Sequence, residues 1–400
     1  MSTVVDRLDD RLAELRTSTR YRQRRVLASP CGRQIVLDDR ATLSFASNDY
    51  LGLAADRRLI AAVAAGAERW GVGAGASHAL GGHSAAHAEL EKQLATFVGA
   101  EDALLFSTGY LANLGLVTAL AGRDDTVFAD RRNHASLIDA VRLAGSAQRR
   151  YRDLQQLQTL LAERLGVRGE RLIVSDTVFS MDGDIAPLAD LHRLAEDYDA
   201  WLLVDDAHGF GVLGPQGRGA LAAAGLRARR RCLLMATLGK AAGVAGAFVA
   251  GDGTVIDWLR QKARSAIYTT AQPALLAAAT LAALPLIAAA DDRRAHLAQL
   301  IERLRCGLAP IAACAGWRLG DSTTPIQPLV VGGDEDALAL ADALLAAGLW
   351  APAIRPPTVP PGSARLRISL SAAHTAADVD RLLALLAAQS QPRRHGVTYP

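Results

Sequence analysis

One lysine stands where a side-chain amine can do covalent chemistry. Lys240 follows the apolar run 232–238 in "CLLMATLGK", and only small residues come directly after it. A phosphate-binding P-loop would need glycine at position 234 and serine or threonine at 241, where the chain has Leu234 and Ala241. An amine among apolar neighbours loses its proton easily and can form a Schiff base. Lys240 is therefore interpreted as a candidate covalent catalyst, with an ordinary surface lysine as the alternative.

Three other stretches supply what such a lysine needs if its carbonyl partner is pyridoxal phosphate (PLP). This cofactor requires an acid at its pyridine nitrogen, an anion site for its phosphate and a flat group over its ring. Asp205 in "VDDAHG" is the acid, with His208 three residues later, and "NHAS" supplies His134. "FSTGYLAN" opens a helix at Gly109 and Tyr110, whose backbone N–H groups suit a phosphate. Each has an ordinary interpretation as a loop acid, loop histidine or helix cap, but together they predict PLP.

These candidates follow short apolar segments that are typical of buried parallel strands. Helical patterns such as 187–200 separate most of the segments, as expected of crossover helices in an α/β domain. The predicted strands lie at 103–109, 126–130, 171–180, 201–209, 232–240 and 246–251. Since ligands collect beyond the carboxyl ends of strands in such sheets, the candidate residues are expected to meet at one edge.

Changes of pattern along the chain predict four segments. Residues 1–45 form an N-terminal helix and strand segment, and 46–285 form the large cofactor-binding α/β domain. Residues 286–390 form a smaller α+β domain with strands in "IQPLVVGG" and "RLRISL". The tail, 391–400, is expected to be disordered.

The composition favours a cytoplasmic protein that binds neither nucleic acid nor a membrane. A net charge of +3 is too small to indicate either partner. Four cysteines without C-x-x-C spacing argue against a zinc site or disulfide framework and fit a reducing compartment. The uncharged stretch 274–290, which includes Pro285, predicts a buried helix rather than a membrane span. The arginines of 227–231 are interpreted as a solvated turn.

Two further motifs are interpreted without a ligand. "GVGAGA" (71–76) matches a dinucleotide fingerprint but follows a helical pattern instead of a strand. His83 and His87 are one helical turn apart, with Glu89 and Glu91 nearby, but this spacing supplies no third metal ligand. They are interpreted as helix-surface histidines, and no metal is predicted.

The sequence closely resembles the α-oxoamine synthases, a family of fold-type I PLP enzymes. The resemblance runs almost end to end through "FASNDYLGL", "STGYLAN", "NHASLIDA", "VFSMDGDIAPL", "VDDAHGFGVLGPQGRG", "TLGK" and "AIRPPTVPPGSARLRISLSAAH". It implies a large α/β domain with a mostly parallel seven-stranded sheet, a smaller α+β domain, and a homodimer with shared active sites. The chain departs from the family's pattern at Ala241 and Ala242 and in the glycine-rich segment 73–82.

The resemblance also implies roles for individual residues. Lys240 resembles the lysine bound to PLP, Asp205 the partner of the pyridinium nitrogen, and His134 the histidine stacked over the ring. With His208 these are the implied catalytic residues. The other implied cofactor contacts are Gly109, Tyr110, Ser180, Thr237 and, from the second subunit, Thr270; the implied substrate contacts are Arg22, Asn48, His134, Thr358 and Arg367.

The implied activity is a decarboxylative condensation of an amino acid with an acyl thioester. "DDAHGFG" and "IRPPTVP" favour the branch in biotin biosynthesis, where L-alanine reacts with pimeloyl-CoA or pimeloyl-acyl carrier protein. One alternative is a sister activity such as glycine C-acetyltransferase, which these two motifs oppose. The other is a non-catalytic subunit lacking the lysine, which the presence of Lys240, Asp205 and His208 opposes.

Overall fold

The structure, a computed structural model, describes residues 3–390, so the tail expected at 391–400 lies outside the described residues. The strands of the described part are β1 (Gln34–Leu37), β2 (Arg40–Ser44), β3 (Asp102–Phe106), β4 (Thr126–Asp130), β5 (Ala147–Tyr151), β6 (Arg171–Asp176), β7 (Trp201–Asp205), β8 (Cys232–Thr237), β9 (Ala247–Gly251), β10 (Arg318–Leu319), β11 (Ile326–Gly332), β12 (Leu349–Trp350), β13 (Ala353–Ile354) and β14 (Ala364–Ser369). The α-helices are α1 (Val4–Thr17), α2 (Arg57–Trp70), α3 (Ala85–Val98), α4 (Gly109–Leu120), α5 (Ala135–Ala144), α6 (Leu154–Ala162), α7 (Leu188–Asp197), α8 (Ala220–Ala223), α9 (Gly253–Lys262), α10 (Arg264–Ile267), α11 (Ala274–Ala288), α12 (Asp291–Ala315), α13 (Asp334–Ala346) and α14 (Ala376–Ser390).

The chain divides into two compact units. The larger unit holds residues 48–180 and 184–295. Within the described part, the smaller unit holds 3–47, 181–183 and 296–390, so the N-terminal segment groups with the C-terminal part of the chain.

The larger unit is built on a seven-stranded sheet in the order β3-β9-β8-β7-β6-β4-β5. Strand β9 runs antiparallel to its neighbours β3 and β8, and the remaining pairs are parallel. The central strands are apolar and buried on both faces, as is typical of parallel sheets covered by helices. Helices α4, α5, α9 and α10 pack against it through residues such as Leu116, Val141 and Ile256. This architecture confirms the predicted fold class.

All six strands predicted for this sheet are present, but the sequence analysis missed one and extended others too far. The missed strand, β5, carries "AQRRY", in which polar residues hide the strand periodicity. The segment predicted as a strand at 171–180 pairs only to Asp176, because the chain then turns back and bridges Val178 to Ile185.

The smaller unit contains two further sheets. One has the order β1-β2-β12, and the other has the order β10-β11-β14-β13. Strands β11 and β14 correspond to the predicted "IQPLVVGG" and "RLRISL". They pair antiparallel, with Arg367 opposite Pro328.

The apolar stretch 274–290 forms helix α11, which lies largely buried in the larger unit and ends within one turn of Pro285. Among residues 3–390, no single helix is long and apolar enough to cross a membrane. The bent pair α11 and α12 meets that length and composition only when the two helices are taken together across a 69° bend.

Candidate active site

The predicted catalytic residues of the larger unit lie at one edge of the seven-stranded sheet. Strands β6, β7 and β8 are parallel neighbours, and their register sets Asp205 beside Asp176 on one side and Met235 on the other. Lys240 follows the end of β8 by three residues, in the loop that leads to the antiparallel strand β9. The expectation that these side chains share one edge is therefore met within this unit.

The loop that carries Lys240 is closed by backbone hydrogen bonds. Leu238 donates to the carbonyl of Gly246 at 2.8 Å, and Gly243 donates to the carbonyl of Lys240 at 2.8 Å. Gly243 has φ +70°, and a Cβ there would come within 2.6 Å of the Leu53 carbonyl carbon. Glycine is therefore required at this turn, and the turn fixes where the lysine stem leaves the backbone.

The amine of Lys240 contacts a buried histidine. Lys240 Nζ lies 2.9 Å from Nε2 of His208, a residue of the loop that follows β7. The other ring nitrogen, Nδ1, lies 2.6 Å from the hydroxyl of Tyr50, and this hydroxyl donates to Asn48 Oδ1 at 3.1 Å. Tyr50 is fully buried. The lysine thus stands at the end of a side-chain network that the sequence analysis did not predict.

The carboxylate of Asp205 is buried and accepts two N–H groups. Asn113 Nδ2 donates to its Oδ2 at 2.7 Å, and the backbone N–H of Ala207 donates to its Oδ1 at 2.9 Å. These two donors fix the orientation of the carboxylate at the carboxyl end of β7.

A second chain of hydrogen bonds leads from Asn113 to His134. The Asn113 amide also donates to Ser136 Oγ at 2.8 Å, and Ser136 Oγ lies 2.8 Å from His134 Nδ1. Because Ser136 accepts from the amide, its own proton points to Nδ1, which also accepts from the Ser136 backbone N–H at 3.2 Å. The proton of the neutral imidazole is thereby on Nε2. Partial burial lowers the pKa of His134, as does the charge of Lys240, against an opposing effect of Asp205.

Two more buried carboxyl groups lie beside Asp205. Burial and the neighbouring charge of Asp205 raise the pKa of Asp176 well above its usual range. Burial raises the pKa of Asp206 to about 7. Asp206 accepts from the Thr177 hydroxyl at 2.5 Å and from the Ala220 N–H at 2.9 Å, so it ties the ends of strands β6 and β7 to helix α8.

The segment predicted to bind an anion is the start of helix α4. Thr108 caps this helix by accepting from Leu111 N–H at 3.2 Å, and the first intrahelical bond is donated by Ala112. The N–H groups of Gly109 and Tyr110 precede that bond and point out of the helix end, where anions bind well. Thr237 lies near this helix start, since a Cβ added to Gly109 would be 3.9 Å from Cβ of Thr237 and 3.6 Å from Cε of Met235.

The other two predicted cofactor residues, Ser180 and Thr270, are more exposed than Asp205 and His208. Ser180 is half-buried in the turn after β6, where Phe179 N–H donates to the Asp184 carbonyl at 3.1 Å. Thr270, predicted to act on a second subunit, is exposed and forms an antiparallel bridge with Ser77.

The predicted substrate residues are divided between the two units. In the smaller unit, Arg22 Nη2 donates to Thr358 Oγ1 at 3.5 Å, and both side chains are exposed. Arg367 is buried on β14 of the same unit and donates to Ser369 Oγ at 2.7 Å. Asn48 and His134 belong to the larger unit.

The interpretation of His87 as a surface residue is wrong. His87 is 1% exposed, in the first turn of α3, whereas His83 lies just before the helix begins. Its Nδ1 accepts from the Ser84 N–H at 3.0 Å, and its Nε2 lies 2.9 Å from the Gln272 carbonyl. The fold adds His78, whose Nδ1 is 2.9 Å from Nδ1 of His83. Both ring nitrogens of His87 thus form hydrogen bonds with backbone groups, and the residue caps the helix. The absence of a metal stays a prediction.

The groups of the larger unit fit PLP by their chemistry. Gly109 and Tyr110 offer N–H donors at a helix N-terminus, which suits a phosphate, and the Thr237 hydroxyl beside them donates to the Gly246 carbonyl at 3.0 Å. The buried carboxylate of Asp205 suits a protonated pyridine nitrogen, and the amine of Lys240 suits a carbonyl carbon. The sequence analysis identified these residues but missed their partners Tyr50, Asn113, Ser136 and Asp176, although the first three lie inside motifs that it quoted.

Comparison with known proteins agrees with this chemistry. The family described as "Aminotransferase class I and II" matches residues 40–386. An 8-amino-7-oxononanoate synthase from Azoarcus sp. (strain BH72) is 58% identical over 384 residues, which cover 96% of this chain and 97% of that protein. The solved 8-amino-7-oxononanoate synthase from Francisella tularensis has a TM-score of 0.74 at 29% identity, covering 87% of this chain and 97% of that one. A serine palmitoyltransferase from S. paucimobilis with a bound PLP–myriocin aldimine has a TM-score of 0.88 at 31% identity over 96% of both chains.

Proposed function

The chain belongs to the class I and II aminotransferases and, among them, to the 8-amino-7-oxononanoate synthases, and we propose that it condenses L-alanine with a pimeloyl thioester. It is a PLP-dependent acyltransferase of biotin synthesis. The products of the proposed reaction are 8-amino-7-oxononanoate, carbon dioxide and the free thiol of CoA or of acyl carrier protein. A cytoplasmic location belongs to the same proposal.

The residues that would hold the cofactor are those at the sheet edge. PLP, when bound, supplies a carbonyl for covalent attachment of an amine and a ring that stores an electron pair. Lys240 would carry it, Asp205 would hold its ring nitrogen protonated, and His208 and Ser180 would form hydrogen-bonding contacts near its phenolic oxygen. The N–H groups of Gly109 and Tyr110 and the hydroxyl of Thr237 would bind its phosphate.

Lys240 is the proposed acid and base of the reaction. Its neutral amine would take the α-proton of alanine and later return a proton to the product. His208 Nε2, 2.9 Å away, holds the amine in position and accepts one of its N–H bonds. The imidazole of His134, whose pKa is lowered mainly by burial, stays neutral at pH 7 and would stack over the ring.

Substrate binding is proposed to use two carboxylate sites. Arg367 and Asn48 would hold the carboxylate of the amino acid, and a guanidinium can do so by a two-point contact. Arg22 and Thr358, 3.5 Å apart, would contact the acyl substrate, with Arg22 facing the terminal carboxylate of the pimeloyl chain. A homodimer is proposed to complete the site, with Thr270 reaching the phosphate bound by the second subunit.

One observation carries this proposal: the amine of Lys240, in contact with His208, and the buried carboxylate of Asp205 lie at the same edge of the sheet. The chain has only three lysines, Lys92, Lys240 and Lys262, and Lys92 and Lys262 are exposed. Borohydride reduction of the PLP-loaded protein followed by peptide mapping should label Lys240 alone. Lys92→Ala and Lys262→Ala are matched controls that should retain colour and label, whereas Lys240→Ala should lose both. A label on either exposed lysine would contradict the assignment.

A further inference from the structure

Three hydrogen bonds connect the amine of Lys240 to the interior of the larger unit. They join Lys240 Nζ to His208 Nε2 at 2.9 Å, His208 Nδ1 to the Tyr50 hydroxyl at 2.6 Å, and that hydroxyl to Asn48 Oδ1 at 3.1 Å. His208 is 7% exposed and Tyr50 is fully buried. At such depth, water competes little for these groups, so the direction of each bond is set by the protein.

The direction follows from which atoms can donate. An amide oxygen only accepts, so Tyr50 donates its single hydroxyl proton to Asn48 Oδ1. The hydroxyl oxygen then accepts from His208, which requires a proton on Nδ1. A neutral imidazole carries one ring proton, so Nε2 of His208 presents a lone pair toward Lys240. All three bonds therefore run one way, from the lysine to the asparagine.

We propose that Tyr50 is a positioning residue that sets the tautomer of His208 and, through it, the proton affinity of Lys240. This inference rests on the proposed role of Lys240. With Nε2 as an acceptor, the histidine stabilises the protonated amine and offers a lone pair to the proton that the amine gains. With the opposite tautomer, an N–H would face the amine and would favour its neutral form. The hydroxyl of Tyr50, buried behind the ring, decides between these two states.

The first test reads the tautomer directly in the apoenzyme. Protein labelled with ¹⁵N-histidine would be studied by NMR, with the His208 signals assigned by their loss in His208→Gln. The wild-type protein should show His208 protonated at Nδ1. Tyr50→Phe, which removes only the hydroxyl, should lower the ratio of the Nδ1–H to the Nε2–H tautomer by roughly two- to tenfold, the effect of one net hydrogen bond. Tyr151→Phe, the same change at a buried tyrosine on β5, is the control and should leave the ratio unaltered.

A second variant perturbs the other end of the chain. Asn48→Ala removes the acceptor, so the Tyr50 proton can turn to His208 Nδ1 and force the proton of the ring onto Nε2. This variant should shift the tautomer ratio in the same direction as Tyr50→Phe. If Tyr50→Phe does not fold, Asn48→Ala still decides the question. A wild-type His208 protonated at Nε2, or a ratio unchanged in Asn48→Ala, would overturn the proposal.

The third measurement follows the lysine. Trace acetylation of the apoenzyme across a pH series, read by peptide mass spectrometry, gives the pH midpoint at which each lysine becomes reactive. In Tyr50→Phe the midpoint of Lys240 should move to lower pH, by up to about one unit for a tenfold change, while Lys92 and Lys262 act as internal references. An unmoved midpoint beside a changed tautomer would refute the link to Lys240. Failure of the proposed function is separate, because it would appear as PLP on another lysine.

Discussion

Asp205 and Asp206 are adjacent buried carboxyl groups, and the same Asp→Asn substitution should affect them very differently. Asp205 accepts from the Ala207 N–H and from the NH₂ group of Asn113, which also donates to Ser136 and is held in this orientation by that bond. Asparagine at 205 has one oxygen for two donors, so one of them would face an NH₂ group. Asp206 instead accepts from the Thr177 hydroxyl and the Ala220 N–H. A hydroxyl can turn and accept from the new NH₂ group, so asparagine satisfies both partners at 206.

The magnitudes follow from these contacts. An unmatched buried donor costs about 1–3 kcal/mol, so Asp205→Asn should lower the apoenzyme's free energy of unfolding by that amount. Under the proposed assignment, the substitution also removes the charge that would pair with the pyridinium nitrogen. Loss of one partner of a buried ion pair costs about 3–5 kcal/mol, and half of that cost, about 1.5–2.5 kcal/mol, would already reduce kcat/KM about 10- to 70-fold. Near pH 4, where Asp206 keeps its proton, Asp206→Asn should change the free energy of unfolding by less than about 1 kcal/mol. It should change kcat/KM by less than about threefold.

Three measurements check this pair of variants: urea unfolding of the apoenzyme, PLP content after dialysis, and kcat/KM with L-alanine and pimeloyl-CoA. Asp205→Asn should retain bound PLP, because Lys240 and the phosphate contacts are unchanged, yet lose most turnover. If Asp205→Asn keeps more than a tenth of the wild-type kcat/KM, the acid that supports the ring lies elsewhere. If Asp206→Asn loses as much as Asp205→Asn, the donor and acceptor argument is wrong.

Three further predictions concern pH, assembly and substrate. Burial raises the pKa of Asp206 from 3.8 to about 7, so the folded state binds the carboxyl proton more tightly than the unfolded state does. The stability that this proton contributes is present below about pH 4 and is lost as the pH rises to about 7. Asp206→Asn should therefore flatten the plot of Tm against pH in that window. If the slope is unchanged, the pH dependence of the stability comes from other groups. If the active sites are shared, mixing inactive Lys240→Ala and Thr270→Ala chains should restore about a quarter of wild-type activity. Half of the dimers would then contain one chain of each kind, and each mixed dimer has one complete site out of two. No recovery after proven subunit exchange would contradict shared sites. L-alanine should be preferred over glycine by only about 10–200-fold in kcat/KM, the effect of one methyl group. The pimeloyl thioester should be preferred over the acetyl thioester more strongly, because each buried methylene adds about 0.8 kcal/mol. If glycine with the acetyl thioester has the highest kcat/KM, the chain has the sister activity.

The sequence predicted the sheet and the edge where the catalytic candidates gather because those features depend on local patterns. Buried parallel strands are apolar on both faces, and chemistry-bearing residues stand out where such a run ends, as Asp205 and Lys240 do. Strand β5 was missed because its "AQRRY" has no apolar alternation, and it pairs only at the edge of the sheet, next to β4. Its existence depends on that neighbour and not on its own residues.

The hydrogen-bond partners were beyond sequence reasoning for a different reason. Tyr50 and His208 are separated by 158 positions, and Asn113 and Asp205 by 92, so no spacing rule relates them. A tyrosine in a motif such as "FASNDYLGL" is also typical of an ordinary core residue, and Tyr50 is indeed fully buried. Only the fold reveals that its one polar atom meets the histidine that holds the lysine.

These two kinds of residue imply different tolerances to substitution. Lys240 and Asp205 supply groups that no other side chain reproduces, so their removal should abolish or strongly reduce turnover without unfolding the protein. Tyr50 and Asn113 act through geometry: each is almost fully buried, and each connects a catalytic group to another polar side chain. Their conservative variants should therefore leave the reaction possible but shift its pH dependence and rate, since the catalytic group remains present in a less favourable protonation state or orientation. A variant of Tyr50 or Asn113 that matched Lys240→Ala in its loss of turnover while remaining folded would show that the network does chemistry itself.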